Sequence, residues 1–198
     1  MRLILASRSP RRRQLLSMAG ISFETAPSNF DEESLAGVLK NDGSGISERA
    51  LAERLALAKA RAVLPSYPED LILAADTIVT LDGALFGKPK DRAEARKMLR
   101  TLAGQTHRVD TGVALISSLK EEVFSTRSEV TFRPLSSVIE ALIDDYVRTD
   151  LPLDKAGGYG IQELGGLLIE RIEGDFFSVM GLPIGLVYER LQAYRIQP

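Results

Sequence analysis

One carboxylate stands where a carboxylate is costly. Asp76 lies inside Leu71-Ile72-Leu73-Ala74-Ala75-Asp76-Thr77-Ile78-Val79, a run otherwise built to be buried. A buried carboxylate must be paired, hydrogen-bonded or metal-bound, and such a group commonly binds a divalent cation or activates water. The apolar run continues to Leu81, so Asp76 is not simply a strand-end residue in water. A second constellation is Ser7-Arg8-Ser9-Pro10-Arg11-Arg12-Arg13, placed where a strand turns into a helix. A helix N-terminus exposes unpaired N–H groups and a positive dipole end, so stability alone would put acids there. Arginines in that turn invite a strong anion, and guanidinium matches phosphate oxygens bidentately. A solvated basic turn, or arginines paired with nearby acids, is the competing explanation.

Further groups are less specific. Asp31-Glu32-Glu33 reads by itself as a solvated acidic loop; joined to Asp76 it would complete an oxygen-only metal site. Lys59 sits on a helix, where a lone lysine is usually solvated. Lys88, in Gly87-Lys88-Pro89, follows the Asp76 strand closely enough for a phosphate role. The stretch from Asp154 to Gln162 carries Gly157, Gly158 and Gly160, which let backbone approach a ligand. Gln162 offers both a donor and an acceptor for a base edge. A tight loop entering a strand would explain the same glycines. There is no GxxxxGK[ST] loop and no GxGxxG between strand and helix. His107, the single histidine, has no GxSxG partner and reads as structural.

The elements that must position these groups follow a mixed α/β order. Leu3 to Ser7 is a short buried strand. Ser9 caps a helix with Pro10 at N1 and Gly20 beyond its end, with Leu15, Leu16 and Ala19 on its apolar face. Ile21 to Thr25 is a candidate strand, and residues 27–46 form a polar loop. Ser47 caps an amphipathic helix to about Val63, with Leu51, Leu55, Ala58 and Ala62 at helical spacing. Leu71 to Leu81 is a long strand with a turn at Asp82-Gly83. Asp91 caps the next helix, which carries Met98, Leu99 and Leu102. Strands follow near 108–117 and 121–133. A helix over Ser136 to Val147 turns Val138, Ile139, Leu142 and Ile143 inward. A strand near 167–172 and a helix from about Pro183 to Tyr194 end the chain.

Composition bounds the rest. The 198 residues are 44% hydrophobic and 26% charged, with a formal net charge of -2. That suits one substantial core or two small lobes, and argues against non-specific nucleic-acid binding. Without cysteine there are no disulfides, thiolate nucleophiles or Cys-based metal sites, and one histidine excludes a His-rich centre. Any metal is then held by oxygen, which favours Mg²⁺, Mn²⁺ or Ca²⁺. No apolar stretch reaches the ~18 residues that span a bilayer, and arginines cut off the first apolar run too early for a secretory leader. No membrane association is expected, and a cytoplasmic location is.

Residues alone stop at a phosphate-binding α/β enzyme with a carboxylate-bound metal. Nine segments, in order, carry the reading further: LILASRSPRRRQLL (3–16), FDEES (30–34), LALAKA (55–60), AADTIV (74–79), GKPKD (87–91), LAGQTHRVDTGVAL (102–115), VTFRPLS (130–136), DLPLDKAGGYGIQ (150–162) and GLPI (181–184). Together they resemble the Maf family of nucleotide pyrophosphatases from end to end, as one domain over 1–198.

The resemblance implies cleavage of a nucleoside triphosphate to monophosphate and pyrophosphate with a divalent cation, Mg²⁺ or Mn²⁺. It implies an α/β fold with an elongated mixed β-sheet flanked by helices, two lobes around a cleft, similar to inosine-triphosphate pyrophosphatases. It makes Asp76 the proton acceptor, with Asp76 and Glu32 at the metal, and Ser7, Ser9, Arg11, Arg12, Lys59 and Lys88 along the phosphates. Arg11, Thr77 and Gln162 match the dTTP/UTP-cleaving subgroup, where the 7-methyl-GTP subgroup tends to carry Trp, Gln and Glu. A 7-methyl-GTP or inosine-triphosphate pyrophosphatase is the alternative within the class; a non-enzymatic role in septum formation or nucleic-acid binding is the alternative outside it. A homodimer is the family expectation. The loop at 36–46 looks longer than the family's common pattern.

Overall fold

The computed structural model describes residues 1–28 and 45–194. Seven strands form one sheet in the order β2-β1-β3-β5-β6-β7, with β4 paired to β3 beside this path. They are β1 (Leu3–Leu5), β2 (Glu24–Thr25), β3 (Leu71–Leu81), β4 (Ala84–Phe86), β5 (Thr106–Ile116), β6 (Glu121–Phe132) and β7 (Ile169–Glu173). β1 runs parallel to both β2 and β3. The mixed α/β expectation holds. Two compact units divide the chain: Met1–Thr77 with Asp110–Thr126 and Gly181–Pro198, and Ile78–Val109 with Arg127–Met180. No helix among the described residues is long and apolar enough to cross a membrane.

In the first unit the helix Pro10–Met18 starts where the sequence says it must. Ser9 accepts from the Arg12 N–H, Pro10 occupies the first turn, and Gly20 follows the C-terminus at φ 70°. Leu15 and Leu16 are its buried residues. The helix Glu48–Val63 is capped by Ser47, with Glu48 in its first turn and Arg61 in its last, matching the dipole. Its buried stripe is Leu51, Ala52, Leu55, Ala56, Lys59, Ala60 and Val63. That corrects the expected stripe: Ala58 is half-buried and Ala62 exposed. The helix turns its alanines to the sheet, where Ala56 and Ala60 pack with Ile4, Ala6, Ile72, Ala74, Ala114 and Ile116. Small residues let the backbones come close, and Gly112 of β5 is the point of closest approach. A Cβ there would stand 2.3 Å from the carbonyl carbon of Ala52.

In the second unit β3 turns into β4 through Asp82 and Gly83, both at positive φ, pairing Leu81 with Ala84. Asp-Gly is the sequence such a two-residue hairpin requires. The turn was legible; β4 was not, because three exposed to half-buried residues leave no periodic trace. The helix Arg92–Leu102 is capped by Asp91, and Glu94 Oε2 accepts from Lys90 N–H at 2.7 Å. The helix Ser137–Arg148 buries Ile139, Ile143, Tyr146 and Val147. Val138 is instead 73% exposed. A stripe phased on Ile139 leaves its preceding neighbour on the outer side. A helix at Phe176–Met180 has no counterpart in the sequence reading, and the last helix spans Ile184–Gln192.

His107 is structural, as expected. Its ring is fully buried, 5.0 Å from Phe132 and 5.4 Å from Tyr159 in edge-to-face contacts. Its Nε2 shares a hydrogen bond with the Tyr159 hydroxyl at 2.7 Å. Burial pushes the imidazole down from 6.5 to about 4 and the Tyr159 hydroxyl above its ordinary value. The folded state therefore prefers neutral His107, whereas the unfolded chain takes up the proton below about pH 6.5. This contribution to stability is whole above pH 6.5 and lost as pH falls towards 4, up to about 3 kcal/mol. Urea unfolding at pH 7 and pH 4.5 checks it: His107→Gln is less stable than the wild type at pH 7 and loses less on acidification.

Candidate active site

The first unit gathers seven of the candidate residues around the carboxyl end of β1. Strand β1 pairs with β3 in the register Leu3↔Leu71 to Leu5↔Leu73, and Ala6 N–H donates to Leu73 O at 2.8 Å. β1 stops there, whereas β3 continues through Asp76 and Thr77. The turn from Ser7 to Pro10 occupies the chain just beyond β1, so the residues after its end and the uncovered part of β3 belong to one neighbourhood. Ligands in open α/β sheets characteristically bind at such carboxyl ends.

Asp76 and Thr77 are adjacent on a strand and so point to opposite faces. On one face, Asp76 Oδ1 meets Lys59 Nζ at 2.5 Å. Both groups are buried, Asp76 to 8% and Lys59 to 4% exposure. The solvated helical lysine is thereby corrected: Lys59 is in phase with Leu51 and Leu55 and carries its charge inward to the strand. Neither charge could be buried alone at acceptable cost; paired at this distance they compensate each other.

On the other face the basic turn is organised around Arg12. Its Nε donates to Gly181 O at 2.8 Å, and its two Nη atoms reach Ser7 Oγ at 3.2 Å and Thr77 Oγ1 at 3.4 Å. Ser7 Oγ also accepts from the Ser9 N–H at 3.2 Å. Thr77 Oγ1 and Thr111 Oγ1 lie 3.0 Å apart. Ser7 is buried, Ser9, Arg11, Arg12 and Thr77 are half-buried, and Arg8 and Arg13 are exposed. These hydrogen bonds, with the Ser9 cap, hold the turn in place at the start of the helix, where N–H groups and the dipole favour an anion. The sequence reading missed Thr111 and Gly181. Both lie in segments it quoted, and their register against Thr77 and Arg12 was not visible in one dimension.

The second unit holds Lys88 and Gln162. Lys88 is exposed on the loop between β4 and the helix Arg92–Leu102. That loop is tied to the glycine-rich stretch by Gly157 N–H donating to Gly87 O at 3.1 Å. Gln162 is half-buried. Its Nε2 faces Glu163 Oε1 at 3.5 Å, and its Oε1 is buried with no hydrogen-bond partner among the described residues.

Glu32, the second expected metal carboxylate, lies outside the described residues, as does most of the 36–46 loop. Among the described residues no three Asp, Glu or His side chains converge on a cation position. Asp76 is a buried oxygen donor, and Asp110, the residue before Thr111 on β5, is buried as well. Such a donor set fits Mg²⁺, which is usually held by one or two carboxylates plus substrate phosphates rather than by a protein cage.

Comparison with known proteins gives this geometry a setting. The model of the family described as Maf-like protein matches residues 2–194. A "dTTP/UTP pyrophosphatase" of Bacillus cytotoxicus is 46% identical over 191 residues, covering 96% of this chain and 94% of the relative. A protein of the same name from Thermosipho africanus is 47% identical, covering 96% and 92%. Another from Acholeplasma laidlawii is 44% identical, covering 99% and 98%.

Proposed function

The chain belongs to the Maf family, and on that premise we propose that it hydrolyses dTTP and UTP to the monophosphate and pyrophosphate. The observation that carries the reading is the buried Lys59–Asp76 pair, whose strand neighbour Thr77 is reached by Arg12 of the basic turn at 3.4 Å. Water needs a positioned base to attack phosphorus, and Asp76 is a buried carboxylate of that neighbourhood. It accepts the water proton as the new P–O bond forms at the α-phosphorus and the bond to the bridging oxygen breaks. Lys59 holds the carboxylate in place by its ion pair. Ser7, Ser9, Arg11 and Arg12 take the phosphates at the helix N-terminus, and with Lys88 they oppose the charge gathering on the leaving pyrophosphate.

Asp76, with Glu32 and substrate phosphates, would hold Mg²⁺ or Mn²⁺. Such a cation, when bound, polarises the phosphoryl group and shields its charge. Gln162 supports the pyrimidine part of the reading: uracil and thymine present an N3–H donor, and its Oε1 is a buried acceptor with no donor among the described residues. Thr77 and Arg11 belong with it as the specificity positions of the dTTP/UTP subgroup. A single catalytic domain working in the cytoplasm as a homodimer completes the proposal.

The test is a triphosphate panel with Mg²⁺ or Mn²⁺. Higher kcat/KM on dTTP and UTP than on CTP, the purine triphosphates, ITP and 7-methyl-GTP is expected. Preference for 7-methyl-GTP or ITP would keep the class and discard the pyrimidine reading.

A further inference from the structure

We propose that Glu163 is a specificity-positioning residue: clamped by Lys155, it fixes which way the Gln162 amide faces and so sets the choice between UTP and CTP. The inference rests on the pyrimidine reading of Gln162 above and extends it to a residue that does not itself meet substrate.

Lys155 is 4% exposed in spite of its charge. Its ammonium donates to Leu151 O and to Asp154 Oδ1, each at 2.6 Å, and lies 3.0 Å from Glu163 Oε2. Two of the three contacts are hydrogen bonds, and the third, to Glu163 Oε2, is an ion pair held by charge. The bridge runs directly under Gly160: a Cβ there would stand 2.7 Å from Lys155 Cε and 3.0 Å from Glu163 Oε2. Gly160 N–H donates to the Tyr146 hydroxyl at 3.0 Å, holding the loop from its other side. The ring from Lys155 to Glu163 is thus closed by an ion pair between a buried lysine and a half-buried glutamate, and Gln162 is the last residue before the closure.

With Oε2 drawn to the Lys155 ammonium by the ion pair, Glu163 Oε1 faces Gln162 at 3.5 Å. An ionised carboxylate only accepts hydrogen bonds, so it admits the Nε2 side of the amide and repels Oε1. The orientation of Gln162 is locked, with Oε1 directed elsewhere. This matters because uracil and cytosine differ by the exchange of donor and acceptor along one edge: uracil has N3–H and O4, cytosine has N3 and N4–H₂. A freely flipping glutamine matches either edge by turning over. A locked one matches the uracil edge and leaves cytosine with an unmatched pair.

The experiment compares UTP with CTP for the wild type, Glu163→Gln and Glu163→Asp, each checked for folding by thermal melting. Glutamine at 163 accepts or donates, so it frees the amide to flip. The kcat/KM ratio of UTP to CTP should fall about ten-fold, since one mispaired buried hydrogen bond costs roughly that much. The change should lie in KM, with kcat on UTP nearly kept, while Glu163→Asp retains most of the ratio. Glu163→Ala is the second variant should Glu163→Gln fold poorly, and it should lose the ratio similarly. A folded Glu163→Gln or Glu163→Ala protein that discriminates as the wild type does would overturn this inference alone. A wild type that turns over UTP and CTP equally would overturn the reading of Gln162, and this inference with it.

Discussion

Asp76→Asn leaves a folded protein that releases pyrophosphate from UTP about 10²–10⁴-fold more slowly than the wild type, the span general-base catalysis usually supplies. Asparagine keeps the size of aspartate and an oxygen for the Lys59 ammonium, which now donates from 2.5 Å to Oδ1. What it removes is the carboxylate proposed above to take the water proton. It also removes the charge that Asp76 sets against the buried Lys59, and breaking a buried pair can cost ~3–5 kcal/mol. Circular dichroism and a melting curve must therefore accompany the rate. Loss of rate with the native spectrum retained assigns the effect to chemistry. A folded Asp76→Asn protein within ten-fold of the wild type would remove Asp76 as base.

Gly112→Ala is the largest structural effect expected from a single methyl group. The new Cβ would lie 2.3 Å from Ala52 C, 2.4 Å from Ala52 O and 2.4 Å from Glu53 N. Those are backbone atoms of the helix Glu48–Val63, so no side-chain rotation relieves the clash; helix and strand must separate. Overpacking typically costs 1–3 kcal/mol and more where backbone must move, so about 3 kcal/mol and a melting midpoint lower by roughly 10 °C are expected. The same displacement reaches the site. Lys59 lies two turns beyond Ala52 on that helix, and a shift of about 1 Å in a positioning group can lose ~100-fold in rate. Gly185→Ala is the control: it sits in the helix Ile184–Gln192 with no atom within 4 Å of its missing Cβ, and should leave stability equal or slightly higher. Equal melting of Gly112→Ala and wild type would contradict the close approach on which the Lys59–Asp76 geometry depends.

Those two residues also show how far one dimension carries. Asp76 was legible because a carboxylate inside an apolar run advertises its own cost. The start of the helix Pro10–Met18 was legible because Ser9 and Pro10 encode a cap chemically. Residue type alone makes Lys59 a lysine in water, yet its phase with Leu51 and Leu55 already places it on the buried stripe. Gly112 looked like any strand glycine, because its role comes from a helix sixty residues away in sequence. Val138 and β4 fell to the same limit: hydrophobic type and short runs fix neither the phase of a stripe nor the pairing of three residues. The partnership of Lys155 with Glu163 left no signal at all. Charged pairs eight apart in a glycine-rich loop become visible only once the loop is closed.

The decisive measurement is phosphorus NMR of the products when the wild-type protein meets UTP and Mg²⁺. UMP and pyrophosphate in equal amounts, without orthophosphate, are expected of hydrolysis at the α-phosphorus. Orthophosphate appearing with UDP, or no turnover of UTP by folded protein, would contradict it.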